Sequence, residues 1–113
     1  MPRYRSWLAA EVHELAGTPF LRVAVHNDLT MMNVMVGERE RQGGRLSVID
    51  WEAARMDGLP LTDFFYAVVD AVMYAAYPGD RPAAFDACFT PGGSHANWVA
   101  SLQARLASAL GLS

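Results

Sequence analysis

The sequence has 113 residues, 52% hydrophobic and 19% charged, with twelve acidic residues against nine basic ones for a net charge of -3. This is the length of one domain. It is too apolar for a disordered chain and lacks the clustered positive charge that nucleic-acid binding needs. All nine basic residues are arginines, so no Walker, Schiff-base or phosphate-clamping lysine comes from this polypeptide.

Cys88 is alone, which excludes an internal disulfide and a thiolate metal cluster; beside Phe85 and Phe89 it reads as a small buried hydrophobe. The start, Met1-Pro2-Arg3-Tyr4-Arg5, is not followed by an apolar run and cleavage site, so no signal peptide is expected. No uninterrupted apolar stretch approaches roughly 18 residues, so no membrane partner is expected and the cytoplasm is the expected compartment.

A helix is predicted over 6–16, with Ser6 as N-cap, a stripe of Leu8, Val12 and Leu15, and Gly17 and Pro19 as its stop. Phe20 to Val25 reads as a short strand, and 26–33 as a polar loop. A β-hairpin is expected over 33–49, its arms at Asn33–Val36 and Arg45–Ile49 and its tip the charged, glycine-bounded run 37–44. Its second arm delivers Asp50-Trp51-Glu52. After Gly58 and Pro60, Thr62 is the predicted N-cap of a helix over 62–77. Phe65, Val68, Val69, Val72 and Met73 give that helix a broad apolar face. Pro78-Gly79-Asp80 breaks it. Shorter helices are expected over 82–89 and 94–110, the last capped by Ser94, carrying Trp98, Leu102 and Leu106, and stopped near Gly111. The class is α+β. A broadly apolar helix beside a single hairpin needs more neighbours than this chain supplies, so exposed apolar surface and self-association through it are expected.

The chemistry concentrates in His26-Asn27-Asp28-Leu29-Thr30-Met31-Met32-Asn33 and in Asp50-Trp51-Glu52, which begins seventeen residues after Asn33. Hairpin pairing brings Asn33 and Asp50 together as one amide oxygen and one carboxylate, hard donors of the kind Mg2+ takes alongside phosphate and water oxygens. Asp28 stands beside that pair, free to accept a proton from a hydroxyl. Phosphoryl transfer needs such a set: a metal at the phosphates and a carboxylate that orients the attacking oxygen.

The pattern His26-x-Asp28-x-x-x-x-Asn33 followed by Ile49-Asp50-x-Glu52 resembles the aminoglycoside phosphotransferase and choline kinase group, small-molecule kinases with a protein-kinase-like fold. Thr30 also fits, as does Gly58-x-Pro60 leading into Asp63; the likeness runs through roughly residues 5–77. The resemblance implies that Asp28 is the catalytic base or hydroxyl-orienting residue. It implies that Asn33 and Asp50 hold Mg2+ at the phosphates of ATP, and that His26 supports the loop by hydrogen bonding. Glu52 is either a second metal-associated carboxylate or a hydrogen-bond acceptor within the loop. Asp63 supports the site by capping its helix or by bonding to the catalytic loop. No role is assigned to His13 or His95, and Trp98 reads as core or lobe contact.

Asn27 stands where the group usually has Gly, and Met31 and Met32 stand where Pro and Trp or His are frequent. The group's amino-terminal lobe supplies a nucleotide-covering loop, a phosphate-binding lysine and a glutamate partner, and nothing of it precedes His26. The expectation is therefore a partial carboxy-terminal lobe over 1–113, its catalytic loop and hairpin packed on a mainly helical body. Its implied partners are a nucleotide, a small hydroxyl-bearing substrate (aminoglycoside, sugar, choline or similar alcohol) and an amino-terminal lobe, in cis or in trans. The competing readings are a non-catalytic kinase-like remnant or interaction module and a metal-dependent hydrolase using Asp28 and Asp50.

Overall fold

The computed structural model describes residues 2–37 and 45–112, so 38–44 of the expected hairpin tip 37–44 lie outside the described residues. Among the described residues, four helices and four short strands follow in the order α1 (Pro2–Leu15), β1 (Val23–Val25), a 3-10 turn (Met31–Asn33), β2 (Val34–Val36), β3 (Leu46–Val48), β4 (Arg55–Gly58), α2 (Thr62–Ala76), α3 (Arg81–Phe89) and α4 (Ala96–Ala109). The class is α+β. The strands form two antiparallel pairs, β1 with β4 and β2 with β3.

The apolar core lies among the last three helices. Val68, Val69 and Val72 of α2 pack with Ala84, Ala87 and Cys88 of α3 and Val99 of α4, flanked by Phe64, Met73, Tyr77 and Phe89. Alanines on the facing side of α3 let the helices approach closely, and Ala84 is fully buried. Asp80 caps α3 by accepting the Ala83 N–H at 3.0 Å, and Pro82 fits its first turn, where no intrahelical N–H bond is needed. Cys88 is buried, and burial raises its thiol pKa.

Three cap expectations give way to other solutions. Helix α1 begins at Pro2, so Ser6 lies inside it and donates from its hydroxyl to the Pro2 carbonyl at 3.1 Å. Leu61 occupies the N-cap position of α2 with φ 67°, and Thr62 instead donates to the Leu59 carbonyl at 2.9 Å. His95 precedes α4, while the Ser94 hydroxyl bonds to the Tyr77 hydroxyl and the His95 ring. The strand expected over 20–25 is confined to Val23–Val25, and Phe20 and Leu21 are exposed.

Helix α1 has no buried residue, and its stripe of Leu8, Val12 and Leu15 stays exposed. The radius of gyration is 16.3 Å, against about 13 Å for a compact domain of this length. The chain is therefore more extended than a compact domain, and much apolar surface remains outside the helical core.

Candidate functional site

Strand β1 ends at Val25, and the chain enters the loop through two consecutive backbone amides held by one carboxylate. The His26 N–H donates to Asp63 Oδ2 at 2.7 Å and the Asn27 N–H to Asp63 Oδ1 at 2.9 Å. Asp63 lies in the first turn of α2, where a carboxylate also suits the helix dipole. This grip accompanies an unusual backbone: Asn27 sits at φ 68°, a left-handed conformation that Asn tolerates better than most residues.

His26 is 2% exposed, and both of its ring nitrogens are engaged. The Asp28 N–H donates to Nδ1 at 3.2 Å, so Nδ1 accepts; Nε2 therefore carries the hydrogen and donates to the Ile49 carbonyl at 2.8 Å. Trp51 closes over the ring edge-on, with centroids 4.7 Å apart, its own N–H given to the Val48 carbonyl. His26 thus clamps the loop to the end of β3 and keeps no nitrogen for a reacting group.

The loop then folds back on itself. Asn33 Nδ2 donates to the Asp28 carbonyl at 2.9 Å and approaches Asp28 Oδ2 at 3.3 Å. The Thr30 carbonyl accepts the Asn33 N–H at 3.0 Å, closing the 3-10 turn. Val34 pairs with Val48 across the hairpin, and the Ile49 N–H continues the ladder to the Asn33 carbonyl at 2.9 Å. Asp50 follows at once, with φ 61° turning the chain out of the ladder. The structure thus brings Asp28 and Asn33 into contact and sets Asp50 one residue beyond Asn33's strand partner. Glu52 is exposed on the following turn, with no hydrogen-bond partner among the described residues.

The amide of Asn33 has committed its nitrogen to Asp28, which leaves Oδ1 as its donor atom for a cation. The Asp50 carboxylate is exposed, with no hydrogen bond among the described residues. Two hard oxygens of this kind fit Mg2+, which completes its shell with water and phosphate oxygens. No group of three or more His, Cys, Asp or Glu residues among the described residues could hold a metal by itself.

Two features of the site escape a sequence reading. Strand β4 lines up with β1, its Gly58 opposite Val23 and packed against the Val25 side chain. Within β4, Arg55 reaches Asp57 through two hydrogen bonds, at 3.0 and 3.2 Å. That contact and its charge lower the Asp57 pKa and raise that of Arg55. The second feature is Asp70, buried in α2, which accepts the Met31 N–H at 2.7 Å. The available signal was its position seven residues after Asp63, two helical turns along the same face. An apolar cleft of about 540 Å³ opens between α2 and α3, walled by Phe65, Tyr66, Phe85 and Phe89, and none of the expected site residues lines it.

A family model described as the phosphotransferase enzyme family matches residues 2–101, from the first turn of α1 into α4. The chain belongs to this family. No curated protein and no solved structure gives a significant match. Phosphotransferase membership covers the loop, the hairpin and the helical core in one continuous stretch, so the geometry above belongs to the part of the chain that carries the family pattern. No helix is long and apolar enough to cross a membrane among the described residues.

Proposed function

We propose that this phosphotransferase moves the terminal phosphoryl group of ATP to a hydroxyl of a small molecule, and that the chain forms the carboxy-terminal, protein-kinase-like lobe of the active site. The observation that carries this reading is the closed unit of Asp28 and Asn33 beside Asp50, held by His26 and Asp63. Asp28 accepts the proton of the acceptor hydroxyl as the new P–O bond forms and the bond to the leaving ADP oxygen breaks. Asn33 Oδ1 and the Asp50 carboxylate would hold Mg2+, with Glu52 as a further candidate. When bound, the ion neutralises charge on the nucleotide phosphates. His26, with both nitrogens occupied, and Asp63, with both oxygens occupied, fix the loop and take no part in the proton transfer. The phosphate-binding lysine of such a site has to come from elsewhere, because the nine basic residues here are all arginines; an amino-terminal lobe, in cis or in trans, would supply it.

The test is Asp28→Asn in the complete enzyme, with phosphorylated alcohol as the measured product. Turnover should fall by about a hundred- to ten-thousand-fold, the span of a positioned general base, while nucleotide binding persists. Unchanged turnover would remove Asp28 from its role.

A second reading is favoured by the exposed stripe of α1 and the exposed Trp7, Leu8 and Val12. Apolar surface of this kind suits an interaction module that has kept the phosphotransferase fold without the reaction, associating with itself or with a partner. The same product assay separates the two, since such a module yields no phosphorylated alcohol when supplied with an amino-terminal lobe.

A further inference from the structure

Asp70 is 2% exposed and shares the status of a buried polar side chain with His26 alone among the described residues. It sits between Val69 and Val72 on α2, where an apolar residue would satisfy the core. Burying a carboxylate is costly unless its oxygens are paired, and both oxygens of Asp70 are. Oδ2 accepts the Met31 N–H at 2.7 Å, and Oδ1 accepts Arg81 Nη2 at 2.7 Å. Arg81 opens α3, and its guanidinium lies 5.7 Å from the centre of the Tyr66 ring.

The placement of these bonds matters more than their number. Asp63 grips the amides of His26 and Asn27, upstream of Asp28. Asp70 grips the amide of Met31, downstream of Asp28 and two residues before Asn33. One face of one helix therefore holds the loop on both sides of the reacting carboxylate, and Arg81 orients the second carboxylate from the next helix. We propose that Asp70 is a positioning residue for phosphoryl transfer, fixing Asp28 against Asn33 through the Met31 amide, with Arg81 as its counter-ion. The catalytic half of this proposal rests on the phosphotransfer reading above; the anchoring half does not.

The experiment compares two double variants of the complete enzyme that differ only in the acceptor at position 70. In Asp70→Leu/Arg81→Met the ion pair is replaced by apolar side chains, a change that buried pairs often tolerate, but the Met31 N–H loses its acceptor. In Asp70→Asn/Arg81→Met an oxygen remains for that N–H. The leucine variant should lose about ten- to a hundredfold in kcat, the effect of a small misplacement at a reacting centre. Its KM for ATP should stay within about threefold. The asparagine variant should recover most of the lost kcat. Amide hydrogen exchange over residues 28–33 should quicken at least about tenfold in the leucine variant while α3 and α4 keep their protection. Equal losses in both variants, or exchange that quickens throughout α2 to α4, would mean general destabilisation and overturn the proposal. A leucine variant with the parent's kcat and loop exchange would also overturn it. Should the parent enzyme transfer no phosphoryl group, the phosphotransfer reading and the catalytic half fail together. Exchange over 28–33 then decides the anchor by itself, supporting it if quickened there and overturning it if unchanged.

Discussion

Replacing Asp63 by Asn tests the polar construction of the loop directly. Its two oxygens accept the N–H groups of His26 and Asn27 at 2.7 and 2.9 Å, across 37 and 36 residues of sequence. An amide of the same shape offers one oxygen and one NH2 group. One of the two N–H groups therefore loses its acceptor and faces a donor, while the other exchanges a charged acceptor for a neutral one. A hydrogen bond to a charged group contributes about 1.5–3 kcal/mol, and a neutral one about 1 kcal/mol. The combined loss is about 2–5 kcal/mol, a large share of the roughly 5–15 kcal/mol that holds a small domain folded. At a urea slope of about 1.5 kcal/mol per molar the unfolding midpoint should fall by about 1–3 M with the slope unchanged. Trp51 rests on the His26 ring with centroids 4.7 Å apart, so its near-ultraviolet circular dichroism signal should weaken as well. A midpoint shift below about 0.3 M at constant slope would refute the claim that Asp63 holds the loop.

Two further outcomes are expected. At Gly58 an added Cβ would stand 2.5 Å from Val25 Cγ1 and closer still to Cγ2; Val25 is buried and β-branched, so its methyls cannot swing aside. Gly58→Ala should cost about 1–3 kcal/mol as overpacking, and adding Val25→Ala should cost less than the sum of the two single changes; additivity in chemical denaturation would refute the clash. In the exposed Arg55–Asp57 pair the lowered Asp57 pKa means that its contribution is complete above the ordinary carboxylate pKa and fades as pH falls through the lowered value. Arg55→Gln should move the Asp57 titration, followed by carboxyl carbon NMR, up towards the ordinary carboxylate range, with Arg22 still lowering it in part, and an unmoved curve would show that Arg55 is not the main cause.

Much of this architecture could be read from residue patterns because the governing physics is local. The apolar spacing of Phe65, Val68, Val69 and Val72 specifies a helix whatever surrounds it, and α2 spans Thr62–Ala76. Likewise the short Val-rich arms about a glycine-bounded tip specify a hairpin, and Val34 to Val36 pair with Leu46 to Val48. Strand β4 was illegible because Arg55-Met56-Asp57-Gly58 has neither apolar alternation nor β-branched residues. Only its pairing with β1 makes it a strand, and pairing is a long-range fact. The caps failed for a related reason. Ser6 and Thr62 are good N-cap residues, but each hydroxyl found a carbonyl three or four residues back, and the backbone turned into each helix earlier. At the site, the order of Asp28, Asn33 and Asp50 was visible as a motif. The bond from His26 Nε2 to the Ile49 carbonyl and the burial of Asp70 were not, since each depends on an acceptor or donor 11 to 39 residues away.

The helical core and the candidate site are held together by different forces, and this difference has a consequence. Valines and alanines hold α2, α3 and α4 by apolar burial, which is non-directional and tolerates small shifts. The loop contributes little to that burial: Asp28, Leu29, Thr30 and Asn33 are only half-buried. Its position is set instead by directional bonds from Asp63, Asp70 and the Ile49 carbonyl, each reaching from a different point of the frame. Directional bonds define a geometry within tenths of an ångström but fail singly when a partner is removed. A substitution in the helical core should therefore lower stability before it alters the loop, whereas removal of one tie should disturb Asp28 and Asn33 while α3 and α4 remain intact. The two buried polar residues among the described residues, His26 and Asp70, both lie on these ties. For the phosphoryl transfer proposed above, in which a small misplacement of Asp28 would slow the reaction, that arrangement would place rigidity at the carboxylate proposed to react.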